Sequence, residues 1–338
     1  MRLKSAIKTS SALLLDRTGA LSLLLRKNCR NSAFVLMYHR VIGARDLKSV
    51  RVQPGMYVLA DTFKRHAAFL NRHFRVISLA ELVGRIQEKK PLGGFCAITF
   101  DDGWKDNFSH ALPVLKQYNL PATIFLATGY VGTHRLFWPE EAMFYLSRPD
   151  LSANIAGAGI NLPDGLVKAW DSTDEKGDVF YDRVINELKN WNPESRDQLF
   201  SQLRQHLGPP PFGRLLMDWD EVRQMQNTGL ISFGAHTAAH VILDQVSRTR
   251  AENEILQSRK DIEDRLGAAA ELFSYPNGNF TPALKEILRR CGFKGAVTTR
   301  RAWIGKDSDL FEIPRIGIHQ DVGCSPALFK ARLVAKRF

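Results

Sequence analysis

Long hydrophobic runs are missing from this chain of 338 residues, and no segment approaches the roughly twenty apolar residues of a membrane-spanning helix. The first thirty residues, MRLKSAIKTSSALLLDRTGALSLLLRKNCR, carry basic flanks around leucines, but Asp16 and Arg17 cut the apolar stretch in two. That interruption argues against a cleaved secretory leader, so the expected location is cytoplasmic or peripheral to a membrane. Cysteine is scarce: Cys29, Cys96, Cys291 and Cys324 lie far apart with no CxxC pair, which excludes a disulfide scaffold and a zinc finger and leaves reduced thiols with packing roles. Internal repeats, an RNA-binding aromatic signature and basic-zipper heptads are also absent, so no nucleic-acid partner is expected. Acidic residues are outnumbered, 35 against 47 Lys and Arg, for a net charge of +12. Such a charge attracts anionic lipid or acidic glycan, and is equally the mark of a basic solvated surface.

What remains is the composition of a globular protein, 44% hydrophobic and 24% charged, able to bury one large α/β core or two smaller ones. Residues 1–32 read as an amphipathic helical segment. At helical spacing Leu13, Leu14, Leu21, Leu24 and Leu25 share a face, with Lys4, Lys8, Arg26, Lys27 and Arg30 toward the ends. Such a helix packs on the body of the protein or rests on an anionic membrane surface. The body, residues 33–338, alternates apolar runs (AFVLMYHRV, GFCAITF, ATIFLATGYV, LISFGAH, ELFSYP, KGAVTT) with helical segments, which implies βα units and a parallel sheet or barrel. From about 132 to 214 the alternation lapses into helical pieces separated by Pro and Gly clusters such as GPPPFG, read as a mostly helical insertion.

Three polar clusters close three of these runs. CAITFDDG ends an apolar strand in two adjacent carboxylates, Asp101 and Asp102, followed by Gly103. Successive strand side chains point to opposite faces, so the pair serves one site only if the chain turns, and Gly103 offers the turn. GAHTAAH supplies His236 and His240, one helical turn apart, a spacing at which both imidazoles face one point. Tyr38 and His39 close FVLMYH. A lone DDG is ordinarily a solvated turn, a lone HxxxH is ordinarily surface or core decoration, and a lone His39 is as readily a core histidine. Their placement at strand ends is what matters, because in a parallel barrel those ends converge on one mouth. Two histidines and one carboxylate there form a set that holds a divalent ion and leaves positions open for water and substrate.

TFDDG followed by HTAAH resembles the first two motifs of the polysaccharide deacetylases, carbohydrate esterases of family four with a NodB-homology domain. The resemblance covers roughly residues 33 to 320 and implies an α/β fold, a distorted (β/α)7 barrel interrupted by the insertion. It also implies Asp101 as catalytic base, with Asp102, His236 and His240 as ligands of a divalent metal ion, zinc first, with Co2+, Ni2+ or Mn2+ as alternatives. The family's third motif, often Arg-Pro-Pro-Tyr-Gly, corresponds to Ser274, Tyr275, Pro276, Asn277 and Gly278 here, so the arginine that orients the base is missing from its usual position. Arg315 in IPRIGIH is the substitute, with a structural salt bridge as the alternative. Asn277, by its backbone N–H, and Tyr275 are candidates for the oxyanion or substrate contacts. The resemblance is nearest to exopolysaccharide deacetylases with an early Tyr-His motif, which makes His39 the catalytic acid and holds His319 in reserve.

The implied reaction is metal-dependent removal of N-acetyl groups from amino sugars of a polysaccharide or lipid-linked glycan. An amidase or esterase acting on another acyl substrate would use the same residues. A non-catalytic carbohydrate-binding relative would have lost one of them, and Asp101, Asp102, His236 and His240 are all present.

Overall fold

Phe95–Phe100 (β5, FCAITF) and Ala122–Leu126 (β6, ATIFL) are buried at every position, as expected of parallel strands covered on both faces. They lie at the heart of a computed structural model that describes residues 2–48, 52–53, 55–146, 148, 160 and 178–334. The other strands are Phe34–Tyr38 (β1), Arg40–Ile42 (β2), Tyr57–Leu59 (β3), Arg75–Val76 (β4), Ile231–Ala235 (β7), Leu272–Ser274 (β8), Gly295–Val297 (β9) and Ile316–Gly317 (β10). Strands β2 and β3 pair separately, and β4 flanks β5. The main sheet runs β10-β1-β5-β6-β7-β8-β9, all parallel. The segment leading into β10 bridges back to β9, with Val297 paired to Ile313 and Arg315 N–H donating to Arg300 O. Residues 313–317 thus border both β9 and β1. The seven strands curl into the distorted (β/α)7 barrel expected from the sequence.

Alternation along each strand sorts side chains into two cores. Phe34, Leu36, Tyr38, Cys96, Ile98 and Phe100 face outward into one core, where Phe63 of helix Ala60–His73 packs on Tyr38 and Phe100. Val35, Ala97, Phe125, Val297 and Ile313 fill the other face, where Leu79, Leu82 and Val83 of helix Leu79–Gln87 join them. The register pairs Val35 with Ala97 and Met37 with Thr99, so one step further His39 and Asp101 leave neighbouring strands on the inner face.

Between β6 and β7 the described part of residues 132–214 holds helices Trp138–Tyr145, Asp178–Lys189 and Pro193–Leu207. They bury their own cluster of Tyr145, Ile185, Leu188, Phe200 and Leu203. The four cysteines, spread from Cys29 to Cys324, are unpaired, Cys96 buried within β5 and Cys324 exposed rather than packed.

The N-terminal segment departs from the expected single leucine face. Gly19, at φ 76°, breaks it into helices Arg2–Arg17 and Ala20–Cys29. Ala12 and Leu21 turn inward onto Ala327, Leu328 and Ala331, and Leu25 joins the main core. Leu13, Leu14, Leu23 and Leu24 face solvent, Leu23 at 70% exposure. No helix among the described residues is long and apolar enough to cross a membrane.

Candidate active site

The inner face of the barrel delivers the second-last side chain of the TFDDG run, and a backbone reversal delivers the last. Asp101 continues the strand, its N–H donating to Tyr38 O at 3.0 Å. Asp102 is already left-handed, at φ 76°, and Gly103 follows at φ 81°. The turn therefore begins one residue earlier than Gly103. A Cβ on Gly103 would stand 2.7 Å from Leu126 Cδ2 and push that side chain aside, so glycine is favoured there chiefly by its left-handed conformation.

Asp101 is held by Arg315, which is fully buried. The guanidinium donates from Nη1 to Oδ1 and from Nη2 to Oδ2, both at 2.7 Å. Its remaining donors go to Thr298 O at 3.0 Å, Thr99 Oγ1 at 3.2 Å and Ser274 Oγ at 3.0 Å. Burial works against charge on Asp101, but Arg315 outweighs it and keeps the carboxyl below its ordinary pKa. Arg315 thus supplies what the third motif lacks, from the segment that closes the barrel.

Asp102 faces the two histidines. Its Oδ1 lies 3.4 Å from His236 Nε2 and 3.3 Å from His240 Nε2, while Trp104 Nε1–H donates to Oδ2 at 2.8 Å. His236 Nδ1 sits 2.7 Å from Ser274 O. A carbonyl only accepts, so Nδ1 carries a proton and donates to Ser274 O, which leaves Nε2 as the ring atom that faces Asp102. The expected helical turn between the histidines is absent. His236 to His240 is a loop with Thr237 and His240 left-handed at φ 61° and 54°. It is tied down by Ala239 N–H to Glu254 Oε2 at 2.7 Å and Gly129 N–H to Ala238 O at 2.8 Å. The imidazoles meet because the loop folds back, not because of helical periodicity.

One ligand atom from each of Asp102, His236 and His240 lies within 4.8 Å of the others. Ligands held about 2.0–2.2 Å from one divalent ion stand roughly 3 Å from each other, close to the two separations seen here. Charge agrees with geometry. Burial disfavours a charge on Asp102, yet its bonds to the two histidines hold it well below the usual carboxylate range. Burial likewise disfavours charge on His236, but Asp102 and Asp101 raise its pKa above 6.5. The buried carboxylate calls for positive charge, which a proton or a cation can provide.

His39 is half-buried beside this cluster. Burial pushes its imidazole below the usual pKa, while Asp102 and Asp101 pull it upward and Arg315 and His236 add to the lowering. His319 follows the neighbouring β10, and its Nδ1 lies 3.4 Å from Asp321 Oδ2. Tyr275 is not brought to the site. Its ring is buried and its hydroxyl donates to Phe311 O at 3.2 Å, and its N–H is used by Val297 O at 3.3 Å. Outward alternation after β8 sends it into the core and corrects its reading as a substrate contact. Asn277 has φ 58°, and its exposed side chain donates to Asn279 Oδ1 at 2.8 Å, leaving only the backbone as a candidate contact.

Several participants escaped the sequence reading. Trp104 and Asp106 directly follow the CAITFDDG run. Arg40 stacks 4.5 Å above the Trp104 ring and donates to Asp106 at 2.7 Å, bracing the indole that holds Asp102. Glu140, from the insertion, has its pKa pushed up to about 8 by burial, against Arg40 and with Asp102 adding to the rise.

The family model described as Polysaccharide deacetylase matches residues 88–296, more than half of the chain. A Bacillus subtilis (strain 168) protein with a provisional polysaccharide-deacetylase designation, YxkH, is 20% identical over 286 residues, covering 84% of this chain and 70% of its own length. Poly-beta-1,6-N-acetyl-D-glucosamine N-deacetylase of Staphylococcus epidermidis (strain RP62A) is 30% identical over 118 residues, 31% of this chain and 39% of that protein. The solved structure of IcaB from Ammonifex degensii superposes with a TM-score of 0.57 at 18% identity, covering 89% of this chain and 97% of that one.

Arg315→Met tests the electrostatics. In the parent, Asp101 titrates below its unfolded value, so its contribution to stability is complete above about pH 4 and is lost as pH falls through the lowered folded pKa. In the variant the buried carboxyl lacks its cation, its folded pKa rises above the unfolded one, and stability is lost as pH climbs between the two. Urea titrations are expected to show the smallest difference at acid pH below the lowered folded pKa of Asp101, widening through about pH 4 to about 3 to 5 kcal/mol at neutral pH. A difference independent of pH would show that Arg315 does not hold the charge of Asp101.

Proposed function

The chain belongs to the polysaccharide deacetylase family, and from that premise we propose that it is a metal-dependent hydrolase removing N-acetyl groups from amino sugars of a polysaccharide or a lipid-linked glycan. The observation that carries the reading is the pairing of an arginine-held, ionised Asp101 with the adjacent Asp102, His236 and His240 set. The N-deacetylase activity by which the Staphylococcus epidermidis relative is named supports an N-acetylated amino-sugar substrate.

Asp102, His236 and His240 would hold a divalent ion, zinc first among the candidates, which when bound would lower the pKa of a water and polarise the substrate carbonyl. Asp101 is assigned the proton that the attacking water gives up; Arg315 keeps this base ionised and fixes both of its oxygens. The amide C–N bond then breaks, and the nitrogen needs a proton before it departs. His39 is the donor in this reading, because outside the three proposed ligands it is the histidine whose protonated form both aspartates favour. The backbone N–H of Asn277 is the candidate donor to the oxyanion. Acetate and a free amino sugar are the products.

A second observation favours contact with an anionic membrane surface. Four exposed leucines sit on the N-terminal helices among exposed Lys8, Arg17, Arg26 and Lys27. The only acidic residue of that segment, Asp16, is bonded to Lys330 at 2.8 Å. Apolar side chains ringed by unopposed cations suit the boundary between anionic headgroups and acyl chains.

The two aspartates should separate cleanly. Asp102→Ala, His236→Ala and His240→Ala are each expected to lower metal content and acetate release together, as measured by elemental analysis and turnover on N-acetylated oligosaccharides. Asp101→Asn should keep the metal and lose about 10² to 10⁴ in rate. Full activity in metal-loaded Asp101→Asn, or undiminished metal in all three ligand variants, removes the assignment.

His39→Ala should impair amide substrates far more than aryl acetate esters, whose leaving groups depart without a proton, while metal content stays unchanged. His319→Ala should do little to either. An amide-selective loss in His319→Ala instead transfers the acid role to that residue.

In co-sedimentation, vesicles containing phosphatidylserine should bind the full chain, and phosphatidylcholine vesicles should not. Leu14→Glu with Leu23→Glu should weaken binding about tenfold or more. Equal binding to both vesicle types, or no effect of the substitutions, overturns the membrane reading.

A further inference from the structure

Beside the metal-ligand loop the insertion encloses a cavity of about 700 Å³, and His240 is part of its wall. The lining holds four arginines, Arg135, Arg196, Arg204 and Arg250, against two carboxylates, Glu141 and Asp197. The arginines are not alike. Arg204 is neutralised by Glu141 at 2.6 and 2.7 Å, and Arg250 by Glu194 at 2.7 Å. Arg135 lies 4.6 Å over the Tyr130 ring and Arg196 lies 4.4 Å over the Trp138 ring, and among the described residues neither has a carboxylate within ion-pair distance. Arg196 is 94% buried, and its Nε has no hydrogen-bond partner among them. A buried, unpaired guanidinium donor costs about 1 to 3 kcal/mol unless something accepts from it. Arg196 Nη1 donates to Leu188 O at 3.4 Å, and planar guanidinium groups stacked on aromatic rings in the wall of a cavity suit a carboxylate or phosphate.

We propose that this cavity is a subsite for an anionic group, carboxylate or phosphate, borne by the glycan beside the acetamido sugar that reaches the metal-ligand site. The proposal rests on the deacetylase reading above and narrows it: the preferred polymer is acidic, and its charge is read by Arg135 and Arg196. Tyr130 connects the two regions. Its ring packs 4.4 Å from Phe137, which in turn lies 4.7 Å from His240, so the anion and the reacting sugar occupy neighbouring positions along one chain. The insertion supplies the arginines, and the barrel supplies the chemistry.

Calorimetry on the full chain with an unacetylated tetragalacturonate, and with neutral chitotetraose as control, tests binding apart from catalysis. The uronate should bind more tightly, and Arg135→Gln should weaken it about tenfold. Arg196→Lys, which keeps the charge and loses the fork, should also weaken it; Arg135→Gln keeps the test sound if the buried variant misfolds. Lys89→Gln removes an exposed cation elsewhere and should leave binding unchanged. Equal weakening by Lys89→Gln and Arg135→Gln would reduce the effect to bulk charge and overturn the subsite. Displacement of the uronate more readily by inorganic phosphate than by glucuronate assigns phosphate, and the reverse assigns carboxylate. In acetate release, Arg135→Gln should raise KM on a uronate-containing N-acetylated glycan and not on neutral N-acetylglucosamine oligomers. Acetate release that is indifferent to both substrate charge and Arg135 defeats the subsite and leaves the deacetylase reading intact. Uronate binding through Arg135 with no acetate from any glycan defeats the deacetylase reading and leaves the subsite.

Discussion

The ion pair between Arg315 and Asp101 is the constraint around which the barrel and its chemistry are arranged. A buried charge pair is poor evidence of stability, because desolvating both ions can cost more than their attraction returns. This one uses the guanidinium fully, on two carboxylate oxygens, a carbonyl and two hydroxyls. Those partners come from β5, the end of β8 and the residue after β9, while Arg315 itself precedes β10. One side chain therefore ties together the strands that close the ring. An apolar replacement of both residues would satisfy the packing. It would leave no ionised carboxylate at the mouth, and the proposed chemistry requires one.

Strain is concentrated in the same place. Among the described residues six non-glycine positions have left-handed φ, and four of them, Asp102, Thr237, His240 and Asn277, lie in the loops at the mouth. Each costs of the order of 1 to 2 kcal/mol, so the surrounding structure has to enforce the conformation. Trp104 grips Asp102, and the Gly129 and Ala239 backbone bonds grip the histidine loop. Such loops exchange local stability for a fixed direction of three donor side chains. A helical turn would have placed His236 and His240 on one face with less strain, but it would have carried them along a helix axis instead of folding them over Asp102.

This explains what was legible in the amino-acid order and what was not. The strands declare themselves because their apolar runs are continuous, and DDG and HxxxH declare themselves because chemistry confines residue type at strand ends. The alternation that sends His39 and Asp101 inward sends Tyr275 outward, yet the sequence does not say which face is which until the register is known. Arg315 could be suspected but not assigned, since its partners are up to 216 residues away in sequence. The leucines of the first helices were misassigned for a local reason: Gly19 resets the helical phase, so Leu21 and Leu25 turn inward while Leu13, Leu14 and Leu24 turn out. Trp104 was in plain view in the motif, but an indole hydrogen bond to a carboxylate has no spacing signature.

The position of the insertion has a consequence for how this site is tuned. It leaves the barrel after β6 and returns before β7, the strand that ends at the histidine loop. Lengthening a connection costs little entropy, rising only with the logarithm of its length, and the inserted helices bury a core of their own. They can therefore vary without unpicking the sheet. Contact with the site is nonetheless direct: Phe137 packs on His240, and the following helix starts at Trp138, beneath Arg196. Side chains that select what enters are thus one ring away from a metal-ligand candidate, while Asp101, Asp102 and Arg315 are held on the barrel, where such variation does not reach.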